Sequence, residues 1–181
     1  MPRFTALDPA SATGPSQHLL ETTQAQLGRV PNLYRCMAHA PAALKGYLDF
    51  RAALATGILK PRLREQLALV VAEENACGYC VSAHTFRGGK MGIPAEEIER
   101  NRRGAALDAK SAAALRFART LTSTRGPLPE GELESVRAAG WSDAEIAEIV
   151  AHVALNTFSN TFSHVAEPEL DFPQVELLSH A

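Results

Sequence analysis

The chain is poor in cysteine and in aromatic side chains. Its 181 residues include three cysteines, one tryptophan and 6% aromatic residues in total. Three cysteines are too few for a disulfide framework, so this is not a small domain stapled by disulfides. The hydrophobic fraction of 46% is nevertheless enough for a substantial core. The length and composition therefore favour one globular domain over two.

The chain also lacks an excess of charge of either sign and lacks long apolar runs. Its 18 basic residues nearly balance 20 acidic ones, for a formal charge of -2 at pH 7. This balance argues against a basic surface for nucleic acid or for anionic membranes. No run approaches the roughly 18 consecutive apolar residues of a membrane span, and the first residues lack the apolar core of a secretory signal. We expect a cytoplasmic protein without a nucleic-acid or membrane partner.

The residue pattern predicts an all-α fold, because alanine and leucine abound and no hairpin signal or alternating run stands out. Residues 1–15, with three prolines, are expected to form an extended or flexible N-terminal arm. A single helical domain is expected over 16–167, followed by an irregular tail over 168–181. Prolines, glycines and caps delimit the expected helices, which cover 16–27, a short piece after Pro31, 41–57, 61–76, a helix from near Cys77 to the glycines at 88–92, a piece after Pro94, 109–124, 130–139, and a long last helix capped by Ser142 with Glu145.

The stretch 73-EENACGYCVSAH-84 carries the residues best suited to chemistry. A helix that starts near Cys77 would place Cys77, Cys80 and His84 along one face. Thiols in a first helical turn are stabilised as thiolates by free N–H groups and by the helix dipole. His84 lies within reach of Cys80 as a proton acceptor or a cationic neighbour. The second thiol can capture an oxidised sulfur as a disulfide. The stretch therefore predicts a redox-active pair.

Two other interpretations of the pair stay open from the residues alone. A zinc site would need further ligands, and the chain has no second CxxC, while Cys36 lies far back in the sequence. A site of two cysteines and His84 completed by water remains an alternative. The cysteines could also be small core residues, as we expect for Cys36. A structural disulfide is disfavoured because a cytoplasmic compartment is reducing.

An acidic partner is expected to orient His84. Three candidates precede the cysteines: Glu65, Glu73 and Glu74. The last two are expected to be solvated at the end of their helix. Glu65 lies beside the apolar run 67–72, where an unpaired carboxylate is costly. Its partner is therefore either His84 or, in a simple ion pair, Arg62 or Arg64.

A polar ridge crosses the apolar last helix. It consists of His152, Asn156, Asn160 and His164, with Ser159 and Ser163 alongside. Buried amides and imidazoles need hydrogen-bond partners. The ridge is therefore either a hydrogen-bonded packing seam or subunit interface, or a set in which His152 or Asn156 lines the active-site pocket.

The motif E-x11-C-x2-C-x3-H, formed by Glu65, Cys77, Cys80 and His84, resembles that of the alkylhydroperoxidase D and carboxymuconolactone decarboxylase superfamily. The flanking segments 28-GRVPNLYRCMAHAPAALKGYLDF-50 and FSNTFSHVAEPELDFP are similar to its peroxidase-related branch, so the resemblance covers about residues 28–173. It implies an alkylhydroperoxidase D-like helical bundle with the CxxC at a helix N-terminus. It further implies a homo-oligomer, trimeric or hexameric. The decarboxylase branch generally lacks the CxxC pair, so decarboxylation is not favoured.

The resemblance implies a thiol peroxidase mechanism that acts on a small hydroperoxide. Cys80 would be the peroxidatic cysteine and Cys77 the resolving one. His84 would take the proton from Cys80, and Glu65 would support this relay. A dithiol or lipoyl-type reductant would then reduce the Cys77–Cys80 disulfide, with no metal, flavin or haem cofactor.

One position departs from the family pattern. The best-known alkylhydroperoxidase D proteins carry a histidine just before the second cysteine, where this chain has Tyr79. Tyrosine is not a base near neutral pH, so the relay is shorter here or the substrate differs. Tyr79, His152 and Asn156 are kept as candidate pocket residues. The alternatives to a peroxidase are a general CxxC disulfide oxidoreductase and a non-catalytic redox sensor or scaffold.

Overall fold

The computed structural model describes residues 2–124 and 126–178, and their regular structure is entirely helical, which confirms the predicted all-α class. No strand occurs in these ranges. The helices are α1 Gly14–Leu27, α2 Asn32–Met37, α3 Pro41–Ala55, α4 Pro61–Glu74, α5 Gly78–Lys90, α6 Ala95–Arg102, α7 Ala109–Ser123, α8 Glu132–Ala138 and α9 Asp143–Ala166.

Local sequence signals account for most of the helix ends. Pro41 and Pro61 open α3 and α4, where the missing N–H of proline costs nothing. Gly28 ends α1 in a left-handed conformation, with φ of 72°. Ser142 and Glu145 form the predicted capping box at the start of α9. The bounds differ from the sequence prediction by a few residues, since α1 begins before Ser16 and α3 ends before Gly57.

Helix α4 lies at the centre of the fold and contacts α5, α6, α7 and α9. Its apolar segment 67–72 is buried, as the all-round apolar pattern predicted. One face joins the main core with α7 and α9, in which Leu67, Val70 and Ile149 are fully buried. A second core cluster lies beneath the start of α5 and includes Cys77 and Cys80. The cysteine pair is thus embedded in the packed interior.

The described residues before α1 and after α9 pack against the bundle. The N–H groups of Arg3 and Phe4 donate to the carbonyl of Ala166 at 3.0 Å. In the C-terminal tail, the Val175 N–H donates to Oγ of Ser82 at 3.0 Å. Residues 179–181 of the predicted tail lie outside the described residues, and the three-part division of the chain stays a prediction.

The prediction that Glu73 is solvated is wrong. Glu73 is 2% exposed and forms an ion pair with Arg102 at 2.7 Å between Oε2 and Nε. Its other oxygen accepts the N–H of Leu178 at 2.6 Å. The helix end is buried because α6 and the C-terminal tail cover it. Glu74 is more exposed and pairs with Arg119 at 2.9 Å.

The described residues contain no helix long and apolar enough to cross a membrane. The cytoplasmic location stays a prediction.

Candidate active site

The cysteine pair sits at the first turn of α5. Cys77 is the N-cap residue, and its sulfur accepts the N–H of Cys80 at 3.3 Å. The two cysteines are joined by a disulfide, and they are 1% and 3% exposed. Cys36, the third cysteine, is a free thiol in the core, and burial raises its pKa. The sulfur chemistry of the chain is therefore concentrated at one helix end.

A short turn between α4 and α5 brings the other predicted site residues to the pair. Ala76 takes a left-handed conformation with φ of 52°, and the Cys77 N–H donates to the Ala72 carbonyl at 2.9 Å. The two helices fold back on one another, so that Glu65 and His84 face each other although 19 residues separate them. The spacing E-x11-C-x2-C-x3-H is thus the spacing of a helical hairpin.

The lower half of the polar ridge on α9 holds this turn. Nδ2 of Asn75 donates to Oδ1 of Asn160 at 3.0 Å. Nε2 of His164 lies 2.7 Å from the Asn75 carbonyl and donates to it. These two ridge residues form a packing seam, which is the first of the two interpretations of the ridge. The seam fixes the segment that leads into Cys77.

Glu65, His84 and Arg87 form a compact charged cluster one turn beyond Cys80. Oε1 of Glu65 lies 2.7 Å from Nδ1 of His84 and 3.3 Å from Nε of Arg87. Nη2 of Arg87 lies 2.8 Å from Nδ1 and 3.1 Å from Nε2 of the imidazole. Because a carboxylate only accepts and a guanidinium only donates, Nδ1 carries the proton and donates to Glu65, and Nε2 accepts from Nη2 of Arg87. The simple ion pair of Glu65 with Arg62 or Arg64 is absent.

The electrostatics of this cluster keep His84 neutral. Burial lowers the pKa of His84 and the guanidinium of Arg87 lowers it further, while Glu65 opposes both. Burial acts to raise the pKa of Glu65, but contact with His84 and Arg87 outweighs it, so the pKa lies below its ordinary value. The pair is therefore an ionised carboxylate holding an uncharged imidazole, which is the form able to accept a proton.

Two adjoining cavities flank the cluster. A cavity of about 40 Å³ is lined by Cys80, His84 and the aromatic residues Tyr34 and Tyr79, among others. A larger one of about 210 Å³ is lined by Glu65 and His84 and also by His152 and Asn156 of α9. Cys80 and His84 therefore share a small recess, and the upper half of the polar ridge lines the space beside it. Three side chains, those of Tyr47, His84 and Arg87, border both cavities.

Cys77 borders a different space. A groove of about 340 Å³ is lined by Cys77 and Ser82 together with residues 167–168, 170 and 174–177 that follow α9. The two cysteines of one disulfide thus line different cavities, which have Tyr79 in common. This separation is not readable from the sequence, since it depends on the course of the tail.

Tyr79 has a bonding role that the sequence did not reveal. Its hydroxyl donates to Oδ2 of Asp171 at 2.5 Å and accepts the N–H of Leu33 at 3.3 Å. Burial and the neighbouring Asp171 raise the pKa of the phenol far above its usual range. Its ring borders the Cys80 cavity, while its hydroxyl ties α5 to α2 and to the tail.

Sequence reasoning missed several residues of the site. Arg87 follows His84 by three residues, so its helical spacing was the only local signal for it. Tyr34, Tyr47 and Arg51 come from α2 and α3 and carry no local signal that relates them to the cysteines. Within residues 2–124 and 126–178, no three His, Cys, Asp or Glu side chains converge as metal ligands would.

The chain is similar in sequence to one protein family and in structure to several solved proteins. Residues 41–123 match the carboxymuconolactone decarboxylase family. No curated protein sequence matches the chain. An uncharacterized peroxidase-related protein from Ralstonia eutropha JMP134, described as an alkylhydroperoxidase AhpD core, is similar with a TM-score of 0.81 at 23% identity, over 94% of this chain and 92% of that one.

Two further structures are similar over most of their length. A peroxidase-related protein from Silicibacter sp. TM1040 is 27% identical, with a TM-score of 0.77 over 92% of each chain. A variant of the debrominase Bmp8 bound to 2,3,4-tribromopyrrole shares the fold at 16% identity, with a TM-score of 0.79 over 93% of this chain and 91% of that one. Residues 41–123 thus match the carboxymuconolactone decarboxylase family, and the chain as a whole shares the fold of alkylhydroperoxidase D-like, peroxidase-related proteins.

Proposed function

We propose that the protein is a thiol-dependent peroxidase that reduces small organic hydroperoxides at Cys80 with electrons from a dithiol donor. The observation that carries the proposal is the cavity shared by Cys80 and His84, in which His84 is held beside Glu65 and Arg87. A neutral, buried imidazole one helical turn from a thiol is suited to remove its proton near pH 7. Cys77 supplies the second thiol that the cycle needs.

The first half of the proposed cycle starts from the reduced pair. Nε2 of His84 exchanges its hydrogen bond from Arg87 for the proton of the Cys80 thiol, and the thiolate attacks the terminal oxygen of the hydroperoxide. An S–O bond forms as the O–O bond breaks, and the departing alkoxide takes the proton back from the imidazolium. Cys80 becomes a sulfenic acid, oxidised by two electrons, and the hydroperoxide is reduced to an alcohol.

The second half restores the thiols. The Cys77 sulfur attacks the Cys80 sulfur, an S–S bond forms, and the sulfenic hydroxyl leaves as water with the proton of the Cys77 thiol. The product is the disulfide between Cys77 and Cys80. A dithiol of the lipoyl type then returns two electrons and two protons and is itself oxidised to a disulfide. Sulfur carries the electrons in every step, and the His84–Glu65 pair moves the proton in the first half, so we propose no metal, flavin or haem.

One observation favours a second candidate function, disulfide exchange. Cys77 is the N-cap residue of α5, where a thiolate gains most from the helix terminus. Cys77 also borders the groove of about 340 Å³, which has more room for a bulky disulfide than the Cys80 recess of about 40 Å³. In that function Cys77 would attack a substrate disulfide and Cys80 would resolve the mixed disulfide. A redox sensor would use the same pair but would be oxidised once.

The test is peroxide turnover with tert-butyl hydroperoxide and dihydrolipoamide. We expect the wild type to consume many peroxides per chain and Cys80→Ser to consume none. Cys77→Ser should stop after one turnover, with a sulfenic acid on Cys80 that dimedone traps. Cys36→Ala, which removes the third thiol, is the matched control and should retain activity.

The outcomes separate the candidates. A single stoichiometric oxidation of the wild type, without turnover, would contradict the peroxidase and favour a sensor. Reduction of insulin disulfides without peroxide consumption would favour disulfide exchange, and that activity should then depend first on Cys77. Turnover that survives in Cys80→Ser would contradict the assigned roles of the two cysteines.

We also propose that the protein is a homo-oligomer, a trimer or hexamer. The support is the outer face of α9, where Val150, Phe158 and Val165 are exposed although large and apolar. Light scattering coupled to size-exclusion chromatography measures the mass directly. A monomer at micromolar concentration would contradict the proposal.

A further inference from the structure

We propose that the larger cavity binds an anionic group, so that the preferred hydroperoxides carry a carboxylate. The proposal rests on the peroxidase function and names its substrate class. The cavity of about 210 Å³ is lined by three arginines, Arg51, Arg64 and Arg87, and by a single carboxylate, that of Glu65. Positive charge is thus in excess in a recess where water screens it less than at an open surface.

Two of the three guanidinium groups already have partners. Arg64 donates to two main-chain carbonyls at the end of α3, at 2.7 and 2.8 Å. Arg87 is held by the carboxylate of Glu65 and by the imidazole of His84. Arg51, on α3, makes no hydrogen bond or ion pair with any residue in the ranges 2–124 and 126–178. Its guanidinium is therefore available for a ligand, and a planar guanidinium matches a carboxylate in two parallel hydrogen bonds.

His152 supplies a second, independent indication of a ligand. It is 5% exposed, it borders the same cavity, and its Nε2 has no hydrogen-bond partner within the part of the chain that the structure describes. Buried polar atoms without partners are rare and indicate a missing one. Burial and the nearby Arg64 lower the pKa of His152 to about 4. The imidazole is thus uncharged near pH 7 and offers a hydrogen bond to a ligand without adding charge.

The position of the cavity suits a substrate rather than a separate effector. Tyr47, His84 and Arg87 border both this cavity and the smaller one that contains Cys80. One layer of side chains therefore separates the two spaces. A small molecule with its carboxylate at Arg51 would place its hydroperoxide against this layer, beside His84 and Arg87, which also border the Cys80 recess. Binding of the anionic group would orient the O–O bond for attack, which increases the reaction rate as well as the affinity.

The test compares tert-butyl hydroperoxide with 3-hydroperoxy-3-methylbutanoate, which adds a carboxylate to one methyl group. We would measure kcat/KM for the wild type, Arg51→Gln and Arg51→Lys. The control is Arg116→Gln, which loses the same charge at an exposed position of α7 outside the cavity. We expect the wild type to prefer the carboxylate by about tenfold or more. Arg51→Gln should lose this preference through a raised KM, Arg51→Lys should keep part of it, and Arg116→Gln should keep it whole.

A binding measurement separates this proposal from the peroxidase function. The unreactive alcohol 3-hydroxy-3-methylbutanoate is titrated into each protein by calorimetry. Binding that weakens about tenfold in Arg51→Gln but not in Arg116→Gln supports the anion site even if neither hydroperoxide is turned over. Equal binding by the wild type and Arg51→Gln, no binding at millimolar ligand, or equal kcat/KM for both hydroperoxides would overturn it, even in an active peroxidase.

Discussion

Oε1 of Glu65 lies 2.7 Å from Nδ1 of His84, across the hairpin of α4 and α5. The contact fixes the imidazole tautomer and leaves Nε2 as the proton acceptor. Because burial and Arg87 lower the pKa of His84, its basic form prevails at pH 7. As the pH is lowered, the rate of peroxide turnover should therefore begin to decline only below pH 6.5, the ordinary pKa of histidine.

Glu65→Gln tests this relationship directly. The amide carries no charge, so it holds the Nδ1 proton less well and no longer raises the pKa of His84. We expect kcat/KM for tert-butyl hydroperoxide to fall by about tenfold to hundredfold and its acid limb to move to lower pH. Glu74→Gln on the same helix is the control and should change neither. An unchanged pH profile in Glu65→Gln would show that the carboxylate does not act on His84.

His152 should make stability depend on pH. Its folded pKa of about 4 lies below the ordinary 6.5, so the unfolded chain binds more protons between these values. The stabilisation is complete above pH 6.5 and is lost as the pH falls toward 4. Urea unfolding should lose on the order of 3 kcal/mol more over this window in the wild type than in His152→Gln. The control is His18→Gln at an exposed position of α1, which should lose as much stability over this window as the wild type. The same loss in His152→Gln would contradict the interpretation.

Tyr79→Phe should release the C-terminal tail without abolishing turnover. The change removes the hydrogen bonds to Asp171 and to the Leu33 N–H, and it should cost about 1–3 kcal/mol of unfolding free energy. Peptides from 169–178 should exchange amide hydrogen faster. A double-mutant cycle with Asp171→Ala checks the pairing, because the two effects should not add. Loss of peroxide turnover beyond tenfold in Tyr79→Phe would instead give the phenol a part in proton transfer.

The buried ion pair of Glu73 and Arg102 should be worth far more to stability than an exposed pair. Arg102→Met leaves the Glu73 carboxylate in the interior without its guanidinium, and we expect a loss of about 3–5 kcal/mol by urea unfolding. Arg103→Met breaks the exposed pair between Glu99 and Arg103, the C-cap residue of α6, and should cost at most about 1 kcal/mol. Equal losses in the two variants would mean that solvent reaches Glu73.

The helices were predictable because their signals are local. Pro41, Pro61, Gly28 and the Ser142 capping box each act within one turn of the residue that carries them. The all-α class was predicted from these signals, and the family resemblance was predicted from the cysteine motif. The features that the sequence did not predict are ones set by distant parts of the chain.

Glu73 illustrates that limit. It was expected to be solvated because it ends a helix, but its partners are Arg102, 29 residues on, and Leu178, 105 residues on. No periodicity in the sequence encodes a tail that returns across a helix end. The same holds for Asp171, which reaches Tyr79 from 92 residues away.

The two cavities at the cysteine pair have a consequence for how such a protein can diverge. Cys80 borders a recess made mostly by α2, α3 and α5, with Ser159 of α9 and Phe172 of the tail also in its lining, whereas Cys77 borders a groove made largely by the tail. Under the proposed function, substitutions at tail positions 174–177, which line the Cys77 groove and not the Cys80 recess, would change which electron donor is accepted and leave the oxidant site untouched. Specificity for the electron donor and specificity for the peroxide could then change independently in evolution, although both substrates react at the same cysteine pair.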